Sequence, residues 1–147
     1  MSSIRRMLPR LALIAGAVVL LAQLVPVART NPPVEQDVAA PAEVDAILRR
    51  ACYDCHSNET VWPWYSRIAP VSWLVVHDTN EGRSHLNFST WNRLSIPERS
   101  EVLEELVEEV ESGGMPLPIY PPLHPEARLT DADKTVLLAW ARASTAR

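Results

Sequence analysis

Cysteine is scarce in this chain: only Cys52 and Cys55 occur in 147 residues. Two thiols exclude a disulfide-rich scaffold and a four-cysteine zinc site. Acidic residues are missing from the first part of the chain, where none precedes Glu35. After Thr30 the balance reverses, with 18 acidic residues against ten basic ones. Such a surface repels phosphate backbones, which excludes a nucleic-acid partner and suits a domain that stays soluble or docks a basic protein. Internal repeats are absent as well. The length allows one domain and an N-terminal segment.

That segment is the one long apolar run. Arg5, Arg6 and Arg10 precede 17 residues from Leu11 to Val27, interrupted only by Gln23 and small residues. The length matches a membrane-spanning helix, and no A-x-A site precedes Arg29. The pattern predicts a retained single-pass anchor in preference to a cleaved secretory signal. Basic residues ahead of the run place the rest of the chain outside the cytoplasm, on the periplasmic side of the inner membrane. The expected division is a membrane anchor or signal segment over 1–28, a proline-rich tether over 29–41 and a folded domain over 42–147.

Within the folded part, Val44, Ile47, Leu48 and Ala51 recur at helical spacing and lead directly into Cys52. Asn58 to Pro70 is aromatic and turn-rich. Val71 to Asp78 predicts a helix, although its first six residues also satisfy a strand on local grounds. Ser95 and Glu98 form a capping box with Pro97 in the first turn. The helix it opens carries Val102, Leu103, Leu106, Val107 and Val110 inward and stops at Gly113 and Gly114. A proline-rich loop from Met115 to Pro125 follows. Thr130 then caps a last helix with Val136, Leu137 and Trp140 inward. The fold class expected is all-α: about four helices joined by long proline-pinned loops, preceded by an N-terminal membrane helix.

The chemistry concentrates in Cys52-Tyr53-Asp54-Cys55-His56. This C-x-x-C-H spacing is the pattern by which two thiols add to the two vinyl groups of one haem while the adjacent histidine ligates its iron. Chance alone gives roughly 0.0007 occurrences in a chain of this composition. A redox dithiol needs a βαβ setting that the sequence does not offer, and a zinc site lacks a second ligand pair. One covalent haem c is the cofactor expected, with His56 as proximal iron ligand.

For the second axial position the candidates are Met115, His77, His85 and His124. Met115 stands between two glycines and Pro116 in a stiff interhelical loop, a good way to present sulfur to iron, and His85 is the next choice. Trp62, Trp64, Tyr65, Trp73 and Trp91 are many aromatics for a small core, as if to line a flat apolar group. Arg67 and Arg83 are candidates to pair with haem propionates.

The run Ala51 to Thr60, then Trp62-Pro63-Trp64-Tyr65 and Ile68-Ala69-Pro70-Val71-Ser72-Trp73, resembles the small bacterial haem-binding domain proteins, relatives of cytochrome c. The similarity continues through Gly82-Arg83, Leu86-Asn87-Phe88-Ser89, Trp91, Met115-Pro116, His124, Ala127 and Leu129, and includes Arg29-Thr30-Asn31-Pro32-Pro33. The resemblance implies thioether bonds at Cys52 and Cys55, proximal His56 and distal Met115. It implies haem binding and leaves the pathway unassigned. The function expected is one-electron transfer with unidentified redox partner proteins, and no enzyme activity. The alternative is a haem-based sensor, ligand-binding module or small peroxidase with a displaceable sixth ligand.

Overall fold

The computed structural model describes the backbone of residues 2–145 and the side chains of residues 7–145. Among the described residues there are six α-helices, several 3-10 turns and, in place of a sheet, one isolated parallel bridge between Gln36 and Thr90. The all-α expectation agrees with this. The chain divides into two compact units, Met1–Arg29 with Trp62–Asp78, and Thr30–Val61 with Thr79–Arg147.

The first unit holds α1 (Ser2–Ala22) and corrects the expected membrane helix. Among the described residues no helix is long and apolar enough to cross a membrane. Pro9 lies inside α1, and the helix stops at Ala22, short of Val27 where the apolar run ends. From Leu11 to Ala22 it extends roughly 18 Å at 1.5 Å per residue, against about 30 Å of hydrocarbon. What ends it is visible in the bonding. Gln23, the one polar break in the run, accepts from the Ala69 amide (2.9 Å) and donates to the Ala69 carbonyl (3.0 Å). Arg29 likewise donates to Ser66 O, and the Trp73 indole to Val25 O. The residues read as the end of a span are thus tied to the 62–73 segment.

The second unit carries the core. Helix α2 (Ala42–Ala51) has Glu43 and Asp45 in its first turn and Arg49 and Arg50 in its last, each matching the helix dipole. Its predicted stripe, Val44, Ile47, Leu48 and Ala51, is buried. Helices α5 (Ile96–Ser112) and α6 (Asp131–Thr145) add Leu103, Leu106, Val110, Leu137 and Ala141 to the same core, around Phe88 and Trp91. The capping box of Ser95 and Glu98 is present, and Gly113 ends α5 at φ 80°. The segment read as a tether is hydrogen-bonded within this unit: Glu35 and Gln36 donate to Ser89 O, Val38 donates to Phe88 O, and Val38 itself is buried.

Arg50 joins α2 to α6 through Asp133 at 2.6 Å. That contact, with the Thr130 amide and hydroxyl at the α6 cap, holds the Asp133 carboxyl at about 2, below its ordinary 3.8. A depressed carboxylate stabilises the fold above its unfolded pKa and loses that contribution as pH falls through the folded value. Acid unfolding should therefore be steeper between about pH 4 and 2 in the native chain than in Asp133→Asn, as followed by circular dichroism.

Candidate haem site

Helix α2 ends at Cys52, whose backbone (φ −126°, ψ −37°) kinks the chain into α3 (Tyr53–His56). The Cys55 and His56 amides both return to Cys52 O, at 3.1 and 2.9 Å. Neither cysteine is in a disulfide, and both are half-buried. Burial, and then the neighbouring Cys55, push the Cys52 thiol up to about 12. It therefore stays protonated, the reverse of the acidic cysteine that serves a redox dithiol.

His56 is fixed by the C-terminal end of α4 (Val71–His85). Its Nδ1 lies 3.0 Å from the Leu86 carbonyl, an acceptor that assigns the ring proton to Nδ1. Nε2 is then the unprotonated nitrogen, the form that ligates a metal, with its tautomer set by a backbone partner. Desolvation by burial lowers the pKa of His56 and keeps the ring neutral. The Phe88 ring meets His56 edge-on at 6.5 Å and stacks on Tyr53 at 5.4 Å. The Phe88 amide closes the arrangement by donating to His56 O at 2.8 Å.

Helix α4 runs to His85, seven residues beyond the expected end at Asp78, and the added turns face the motif. Gly82 is buried there, and a Cβ at that position would lie 2.7 Å from Cys55 O, so the close approach of α4 to the motif requires glycine. Arg83, a candidate partner for a propionate, is half-buried and joins the turn after His56 to the segment at Thr30 and Asn31. Its Nε donates to Ser57 O (2.6 Å), and its terminal nitrogens donate to Thr30 O, Asn31 Oδ1 and Thr60 Oγ1.

Met115 is half-buried in the loop after α5, its amide donating to Glu109 O and its bond to Pro116 cis. The same loop is tied to the motif at a different residue: the Tyr120 hydroxyl donates to Asp54 Oδ2 at 2.5 Å. His124 stacks on Tyr120 with 4.1 Å between ring centres. His85 is 66% exposed and pairs with Glu81 of its own helix, and His77 is exposed in the first unit.

Trp62, Trp64, Tyr65 and Trp73 belong to the first unit, where Trp64 is 73% exposed, and Trp91 fills the core with the Arg99 guanidinium 5.7 Å from its ring. Aromatic residues that touch the motif include Phe88, against Tyr53 and His56, and Tyr120, at Asp54. Phe88 is marked in the sequence only by the resemblance over Leu86–Ser89, and nothing local points to its contact with His56; a lone glycine such as Gly82 is a general sign of close backbone approach.

Two thiols outside any disulfide on one helical turn and a neutral histidine oriented through Nδ1 fit haem, and define a haem-binding module on an all-α frame. The chain matches the model of the haem-binding domain family over residues 17–143 and belongs to that family. No curated protein and no solved structure matches it.

Proposed function

We propose that the protein holds one haem covalently through Cys52 and Cys55 and carries single electrons outside the cytoplasm. The observation that carries this reading is the 3.0 Å contact of His56 Nδ1 with Leu86 O, which leaves Nε2 as an axial donor. Haem bound there supplies a one-electron iron centre. His56 stays neutral because it is buried, and so retains its lone pair. Met115 would be the second residue to hold the iron, on a loop that Gly113 turns and that the Glu109 carbonyl anchors. A thioether favours reduced iron and raises the potential. With both axial donors supplied by the chain, substrate has no open position, which favours a carrier over an enzyme. Covalent attachment suits an exported protein, where a merely coordinated cofactor can be lost, and the basic start ahead of an apolar run fits export.

The oxidised protein should show a weak sulfur-to-iron charge-transfer band in the far red. Met115→Ala should abolish it and lower the reduction potential by on the order of 100 mV. A native spectrum without the band, or a band that survives the substitution, contradicts the role of Met115.

A further inference from the structure

The loop from Gly113 to Pro125 meets the attachment turn at a point neither cysteine nor histidine supplies. Asp54, one of the two residues between the cysteines, receives the Tyr120 hydroxyl on Oδ2 at 2.5 Å and the Val61 amide on Oδ1 at 2.8 Å. Its carbonyl accepts from Thr60 Oγ1 (2.8 Å), which in turn accepts from Arg83. The carboxylate is thus held from one side by the turn after the motif and spends its other oxygen on Tyr120. A hydroxyl-to-carboxylate bond of this length is charge-assisted and among the stronger hydrogen bonds available to side chains.

On the loop side, Tyr120 is equally well placed. Its amide donates to Leu117 O, its carbonyl accepts from the Leu123 and His124 amides, and its ring stacks on His124. Moving Tyr120 therefore moves the whole turn. The bond spans 66 positions of sequence and joins the loop that bears Met115 to the turn that bears His56.

We infer that Tyr120 and Asp54 form a latch that keeps the 113–125 loop closed and so controls access of small exogenous ligands to the haem iron. The inference rests on haem being held at Cys52, Cys55 and His56. Tyr120 acts as a positioning residue: it touches Asp54, and its influence on the iron passes through the loop. A closed latch keeps the sixth position occupied by the chain's own residue. An open one turns the same module toward binding diatomic gases.

The test is the rate at which carbon monoxide binds the reduced, haem-loaded full-length chain. Tyr120→Phe removes only the hydroxyl and should accelerate binding about tenfold or more, the scale of one hydrogen bond to a charged group. Asp54→Asn should act in the same direction, and the double variant should add little to either single one, because both remove one interaction. Ile119→Ala, an exposed neighbour in the loop, should bind at the native rate. Rates in Tyr120→Phe and Asp54→Asn equal to the native rate would overturn the latch, as would fully additive effects. Amide exchange at Tyr120, Leu123 and His124 gives a second readout that needs no haem: Tyr120→Phe should speed it, and unchanged exchange counts against the latch. Failure of the haem reading is separable. Haem that washes out of the denatured native chain refutes covalent attachment, and a missing sulfur band refutes Met115, while the comparison of rates still judges the latch.

Discussion

Cys52→Ala with Cys55→Ala is expected to convert a permanently coloured protein into one that surrenders its haem to acidified organic solvent. With the attachment proposed, two carbon–sulfur bonds would survive any loss of fold, whereas in the double variant only contacts from His56 and Met115 would remain, and these would vanish with unfolding. The expected change is nearly complete loss of haem from the extracted polypeptide, read by absorbance of the pellet. A single variant at either position should keep one thioether and an intermediate yield. Retention of haem by the double variant after extraction would show that the cysteines do not attach it. The alternative use of these thiols, a redox dithiol, is disfavoured because the pair lies at the end of α2 among helices and not at a βαβ junction.

Gly82→Ala is expected to have the second large effect, and its sign decides between two opposing contributions. In an ordinary helix interior alanine in place of glycine stabilises by about 1 kcal/mol. Here the new Cβ would stand 2.7 Å from Cys55 O, a backbone atom that cannot rotate aside. Forcing a methyl into such a contact costs roughly 1–3 kcal/mol. The clash outweighs the propensity gain because relief requires α4 to move off the motif, and α4 leads into the Leu86 carbonyl that orients His56. The variant should unfold at lower temperature than the native protein and take up less haem. A higher melting temperature with full haem content would mean that the close approach has no structural consequence.

Which features the sequence revealed follows from how local their causes are. The spacing of Cys52, Cys55 and His56, the stripe of α2 and the Ser95 capping box each depend on residues within about one or two helical turns. The α2 stripe and the capping box stand in the structure as expected. The extension of α4 was hidden because Asp78, Asn80, Glu81 and Ser84 are polar while the face turned inward carries the small residues Thr79 and Gly82. The membrane helix failed for a related reason. A hydropathy count sees the run from Leu11 to Val27 but not that the Gln23 side chain is committed to Ala69, 46 positions away. The contacts of Tyr120 and Phe88 carry no short-range signal, and these residues join the Cys52–His56 turn to the loop and to the core.

The central claim, that this chain bonds one haem through Cys52 and Cys55, is most directly tested by the intact mass of the native protein measured under denaturing conditions. One species at the mass of the polypeptide plus one haem, carried by the peptide containing both cysteines, is the result expected. A polypeptide at its bare mass, with haem released free into the denaturant, would contradict it.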